Sequence, residues 1–185
     1  MRRLSFGVSA AFILVFSAVA QPLRIVTWQA DDFPAPAAGA TANDPEVKRL
    51  RQAAAAIKSY DASVIVLEGM PDRPACQRLA GFLKPASFQV VQFNTFRGTS
   101  NAPVARSVAV LARKAATAAR AVDWKSSGQL DRGGGFTFAT LPVGTNTVCL
   151  YVAQFVDFGG ARTNTRLAQL NARKREMAAQ YLLHH

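Results

Sequence analysis

Ser63-Val64-Ile65-Val66-Leu67-Glu68-Gly69 decides the fold. From Ala62 to Leu67 the run is almost wholly apolar and rich in β-branched residues, the pattern of a strand buried on both faces. A strand of that kind needs a covering layer on each side, so this segment already implies a layered domain rather than a single half-exposed sheet. Upstream lies a helix start: Asp44 as N-cap, Pro45 at the first helical position and Glu46 in the first turn, where an acidic side chain suits the helix dipole. Val47, Leu50, Ala54 and Ile57 fall on one face of that helix, with Lys48, Arg49, Arg51 and Lys58 around it. Before the helix, Asp31 to Ala42 reads as a loop rich in proline and alanine, and Leu23 to Thr27 as a short strand.

Downstream, Asp72 is placed to cap a second helix over Arg73 to Leu83, with Ala75, Leu79, Phe82 and Leu83 on one face. Strand-like runs follow in quick succession at Phe88–Phe93, Val104–Leu111, Arg120–Trp124, Phe136–Leu141 and Val148–Phe155. Thr165 to Leu183 has helical periodicity, with Leu167, Leu170, Met177 and Tyr181 approximating one face and Arg173, Lys174 and Arg175 elsewhere. The order of elements predicts a layered α/β or α+β domain with helices outside packed sheets.

Arg2 and Arg3 precede an apolar run from Phe6 to Val19 that ends in Ala18-Val19-Ala20, the three-part pattern of an export signal. The run is shorter than the roughly 20 residues a spanning helix needs. Removing twenty residues from 185 leaves 165, the length of one domain, residues 21–185, in a periplasmic or extracellular protein. The formal charge of +11 falls to about +9 without Arg2 and Arg3, an excess that favours polyanions but does not dictate a fold. Cys76 and Cys149 are the only cysteines. Export permits a disulfide between them; two separate buried thiols, one on a helix and one in a strand, is the equal alternative. No Gly-rich phosphate loop is present, since Gly133-Gly134-Gly135 is a turn before a strand and lacks the lysine of a P-loop. The only histidines are His184 and His185, which excludes a Ser/His/Asp site of the usual kind.

In order and spacing, four of these runs resemble the endonuclease/exonuclease/phosphatase superfamily. Thr27-Trp28-Gln29 matches its opening T-W-N strand, and Ser63 to Gly69 matches its D-V-V-x-L-Q-E strand. Ser107 to Arg113 looks like its G-V-A-I-L-S-R strand, and Gly134 to Ala139 with Asn146 to Phe155 looks like the strand pair ending in N-T-H-L. The resemblance implies a two-sheet β-sandwich flanked by helices and hydrolysis of phosphoesters with Mg²⁺ or Mn²⁺. It also implies site positions: Gln29 and Gln154 where the family has its catalytic Asn and His, and Glu68 as the nearest metal ligand. In that register Gly69 stands at the family's metal-binding Glu, and Val152 at an Asn. The family's later G-D-x-N and S-D-H motifs have no counterpart, so the sandwich is expected to be incomplete at its carboxyl end.

These departures weaken the chemistry. Gln154 donates and accepts hydrogen bonds but cannot serve as an acid or base near neutral pH. Because alternate strand residues face opposite ways, the one-place offset is expected to turn the Glu68 carboxylate away from a metal unless a bulge re-aims it. Two functions therefore compete: a phosphoesterase, and a non-catalytic binder of a polyanion or partner protein on the same fold. In the second, Lys48, Arg49, Arg51, Arg162, Arg166, Arg173, Lys174 and Arg175 supply salt-sensitive phosphate contacts. Solvated helix faces are the ordinary alternative for those charges.

Overall fold

The apolar run around Ile65 is a central strand with a layer on each side. A computed structural model describes residues 22–30, 33, 39–41, 43–98, 106–124, 133–155 and 163–184. The residues read as an export signal, most of the loop before the first helix, and Arg162 lie outside that set. In chain order the elements are β1 (Ile25–Gln29), α1 (Pro45–Lys58), β2 (Val64–Glu68), α2 (Arg73–Phe82), β3 (Gln89–Phe96), β4 (Arg106–Ala112), β5 (Ala118–Asp123), β6 (Gly134–Val143), β7 (Asn146–Phe155) and α3 (Thr165–Leu183). They form a four-stranded sheet in the order β1-β2-β4-β3 and a three-stranded sheet in the order β5-β6-β7. This is the expected α+β architecture, two packed sheets with helices outside.

Strand alternation sorts the core into two layers. Ile65, Leu67, Ala109 and Leu111 face the helices, where they meet Leu50, Ala54 and Ile57 of α1 and Cys76 and Leu79 of α2. Val64, Val66, Val108, Val110 and Phe96 face the other sheet, where they meet Leu141 and Val152. Both sets are needed to bury β2 on two sides, which explains why its sequence is continuously apolar instead of alternating. Each Leu or Ile so buried contributes about 1.5–3 kcal/mol.

The helix caps separate two kinds of aspartate. Asp72 accepts from the Ala75 amide at 2.7 Å, capping α2. Asp44 occupies the N-cap position of α1, yet its carboxylate makes no cap bond to the helix. It accepts instead from the Thr41 amide at 2.6 Å and the Thr41 hydroxyl at 3.3 Å, closing the turn ahead of the helix. At the far end of the domain, Asp61 joins Arg24 at 3.2 Å and Arg113 at 2.6 Å, tying together the segments that flank β1, β2 and β4. The Arg113 guanidinium holds the Asp61 carboxyl below its ordinary range.

α3 has the predicted bounds but a different seam. Its buried positions are Asn171, Lys174 and Ala178, with Leu167, Leu170, Met177 and Tyr181 half-buried beside them. Lys174, expected on the solvated face, is only 4% exposed. Spacings of three and four from Leu167 run through 171, 174, 178 and 181, so the lysine falls on the central stripe, where its long apolar stem can pack. Ala178 and Tyr181 meet Trp124 and Phe136 on the outer face of the three-stranded sheet. Trp124 stacks on Phe155 at 5.7 Å and takes the Tyr181 ring edge-on at 6.1 Å.

One buried group between the sheets works against stability. Thr137 is fully buried on the inner face of β6, and its hydroxyl has no hydrogen-bond partner among the described residues. An unsatisfied buried hydroxyl costs about 1–3 kcal/mol. Thr137→Val, which keeps the shape and removes the hydroxyl, is expected to stabilise the chain by about 1 kcal/mol. For a chain of this size that is a rise in Tm of about 2–4 °C. A fall in Tm would mean that the hydroxyl is satisfied.

The thiols remain separate. Both cysteines are free: Cys76 is buried in the helix-side core, and burial pushes its thiol up to about 12. Cys149 lies on the outer face of β7 and is exposed, so neither the disulfide nor the pair of buried thiols is present. Among the described residues no helix is long and apolar enough to cross a membrane.

Candidate functional site

β1 and β2 run parallel and end together, so Gln29 and Glu68 are direct neighbours across the pair. The alternation that places Val64 and Val66 toward the other sheet places Glu68 on that same face, beside Gln29. Position 68 is thus the inward one of the pair 68 and 69, with Glu68 on the face that the β1–β2 register shares with Gln29. Gly69 leaves the strand, with φ at 80°. That conformation costs a residue with a Cβ about 1–2 kcal/mol.

The end of β2 is held on both sides. The Ala30 amide donates to the Glu68 carbonyl at 2.6 Å, and the Gly69 amide donates to the Ser107 carbonyl at 3.0 Å. The buried Ser107 hydroxyl donates to the Met70 carbonyl. These bonds secure the backbone on which the Glu68 side chain is carried, a requirement for any site built at a strand end.

Gln154 reaches the same end from the other sheet. β7 pairs with β6 so that Gln154 lies opposite Gly135, and Val152 opposite Thr137, both on the inner face. Gln154 is 6% exposed. Its carbonyl accepts from the Trp124 indole at 2.9 Å, and the Gly134 amide donates to the Arg97 carbonyl at 2.7 Å, linking β6 to the end of β3. Gly134 and Gly135 thus belong to the strand, and their lack of side chains permits this close approach; the glycine run is more than the turn its sequence suggested. The structure brings Gln29, Glu68 and Gln154 to one end of the sandwich on its inner faces. Asp123 also lies there, opposite Gly135 on the side away from β7. No motif or periodicity marks Asp123, because only the register of β5 against β6 moves it to this end.

The basic residues lie elsewhere. Arg166, Arg173 and Arg175 are exposed on α3, which packs on the outer face of the three-stranded sheet. Lys48, Arg49 and Arg51 are exposed on α1, outside the other sheet. They flank the domain rather than line the inner-face end. A cleft of about 510 Å³ opens at the opposite end of the sandwich, lined by Leu23, Val64, Leu141 and Pro142 with Arg113 and Lys114 at its rim.

The donor set at the candidate end is amide-rich. Among the described residues, no three His, Cys, Asp or Glu side chains come together to hold a metal ion. Glu68 and Asp123 offer carboxylate oxygens at this end and Gln29 and Gln154 amide oxygens, the hard donors that Mg²⁺ or Mn²⁺ would take, short of a preformed cluster of three ionisable ligands.

No family model and no curated protein matches the sequence. The fold is nevertheless similar to that of a solved endonuclease/exonuclease/phosphatase family protein from Leptotrichia buccalis C-1013-b, with a TM-score of 0.50 at 11% identity, over 74% of this chain. The match spans 55% of that structure, so the fold of this chain is similar to about half of an endonuclease/exonuclease/phosphatase family protein.

Proposed function

We propose that this chain uses an endonuclease/exonuclease/phosphatase-type scaffold to bind a phosphate-containing polyanion outside the cytoplasm, without hydrolysing it. What supports this reading is that Gln29, Glu68 and Gln154 lie at one sandwich end, with Gln154 an amide where the resemblance implies an ionisable His. Amides donate hydrogen bonds to phosphate oxygens but do not transfer protons near neutral pH. The charge of about +9 that remains without Arg2 and Arg3 supplies a long-range attraction for the polyanion, and the exposed arginines of α3 supply contacts outside the strand ends. The export signal places this binding in the periplasm or outside the cell.

Hydrolysis is the second reading, favoured by the position of Glu68 next to Gln29 on one face. Both are tested together with the purified chain. A labelled single-stranded oligonucleotide is titrated at several salt concentrations, and a generic phosphodiester and phosphomonoester are assayed with Mg²⁺, Mn²⁺ and chelator. The expected result is binding that weakens steeply with salt, as counterion release requires, and no turnover. Gln29→Ala should weaken binding by about fivefold, the equivalent of one hydrogen bond of about 1 kcal/mol. Turnover that chelator and Glu68→Ala both abolish would establish hydrolysis instead.

A further inference from the structure

A carboxylate sits badly among amides that hold phosphate, because the two anions repel at short range. Glu68 nevertheless stands on the inner face beside Gln29, its Cα partner across the β1–β2 pair. The fold does not use it either. Of the half-buried carboxylates among the described residues, Asp44 is bonded to Thr41, Asp72 caps α2, and Glu46 lies in the first turn of α1, where the helix dipole suits it. The Glu68 carboxylate is equally half-buried, yet it makes no hydrogen bond or ion pair with any described residue. It offers two acceptor oxygens on a secured strand end, and these suit a ligand that brings N–H donors alongside its phosphates.

Nucleic acid is a polyanion whose phosphates alternate with planar groups carrying such donors, and in a single strand their Watson–Crick edges are open to side chains. Guanine alone among the four bases sets two kinds of N–H donor, N1–H and the N2 amino group, side by side on that edge, with the O6 acceptor next to them. A carboxylate takes such a donor pair with both oxygens, in the bidentate way it takes a guanidinium. Adenine and cytosine offer one amino group each and thymine one ring N–H, so each leaves one carboxylate oxygen unmatched. An amide N–H beside the carboxylate then meets O6. Gln29 supplies that amide: adjacent strands lie about 4.7–4.9 Å apart, so the two side chains stand next to each other on one face.

On the basis of the proposed polyanion binding, we infer that this strand end recognises guanine in a single strand, with Glu68 accepting from N1–H and N2–H and Gln29 donating to O6. Gln154, 6% exposed, bounds the site from the other sheet. Phosphate contacts made elsewhere give affinity, and the Glu68–Gln29 pair gives the base preference.

Fluorescence anisotropy tests this with a labelled oligothymidylate and the same strand carrying one central guanine, both in chelator. The guanine is expected to tighten binding about tenfold, the discrimination of a good bidentate pair. Hypoxanthine in its place lacks only the N2 amino group and is expected to lose most of that gain, a readout on the unaltered chain that no folding defect can mimic. Adenine or cytosine there is expected to change binding by less than about twofold. Glu68→Gln is expected to remove the guanine preference, with circular dichroism and Tm reporting that the fold persists. Equal binding of every strand overturns the inference and leaves polyanion binding standing, whereas binding of none overturns both. A preference that survives Glu68→Gln, that hypoxanthine retains in full, or that needs added Mg²⁺ also overturns it, since the carboxylate then does not meet the base.

Discussion

Gly135→Ala is expected to cost more than about 3 kcal/mol and to leave the chain largely unfolded in moderate denaturant, where the wild type is native. A Cβ at this position would collide with the Val122 carbonyl and would stand 2.5 and 2.6 Å from two ring carbons of Phe96. Ordinary overpacking costs about 1–3 kcal/mol because flexible side chains give way. Here one obstacle is backbone, held in the β5–β6 ladder where Val122 pairs with Phe136 and Asp123 with Gly135 itself. The other obstacle is the fully buried Phe96, whose ring is enclosed between the sheets. Neither can move without loosening the end of the sandwich that carries Gln154. For a domain whose whole stability is about 5–15 kcal/mol, the loss is a large fraction of the total. The check is the denaturation midpoint in urea, compared with Gly144→Ala as a control. Gly144 has φ at 61°, but nothing lies within 4 Å of a Cβ there, so only the backbone strain of about 1–2 kcal/mol is expected. Equal shifts for the two variants would show that the close approach at Gly135 is not tight.

The same region shows which parts of the fold could be read beforehand. Periodicity placed α3 at Thr165–Leu183 and identified β2 as doubly buried, because long amphipathic and continuously apolar runs report burial directly. Trp28 packs against the helix-side core and Trp124 lies in the α3 core. Lys174 was misplaced because the helical stripe can be drawn through 170 and 177 or through 171, 174 and 178, and sequence has no means of choosing before the sheet beneath the helix is known. For the cysteines sequence leaves a disulfide and two buried thiols open; the pleat decides against both at Cys149, turning position 149 outward with Tyr151 while Leu150 and Val152 face the core. At the candidate site, the motif spacing picks out Gln29, Glu68 and Gln154, three positions that the fold carries to one end of the sandwich. The direction of a strand-end side chain depends on where the strand ends, and that is set by Gly69 with its positive φ and by the bonds to Ser107. The roles of those residues are a separate matter of chemistry, and the oligonucleotide titration addresses it.

Phe96→Ala is the second large effect, with an expected loss of about 3–5 kcal/mol, the usual cost of removing a buried phenylalanine ring. At 0% exposure, Phe96 is among the largest fully buried side chains and belongs to the layer that joins the two sheets, with Val64, Val66, Val108, Val110, Leu141 and Val152. Two of its neighbours, Val108 and Val110, lie on β4, whose backbone is paired on both sides by β2 and β3, so the void cannot close by a simple inward movement of that strand. A cavity that persists adds its own penalty to the lost transfer energy. Phe96→Leu, which fills most of the volume, is expected to cost less than about 1.5 kcal/mol. The pair with Gly135 then supplies a sharper test. Removing the ring relieves part of the conflict faced by a Cβ at position 135, but the Val122 carbonyl remains. The double variant Gly135→Ala/Phe96→Ala should therefore be less destabilised than the sum of the single variants by at least about 0.5 kcal/mol, and still be less stable than Phe96→Ala alone. Additive losses would mean that the ring and the glycine do not share the space at the end of the sandwich. A double variant as stable as Phe96→Ala would mean that the ring, and not the carbonyl, is what requires glycine there.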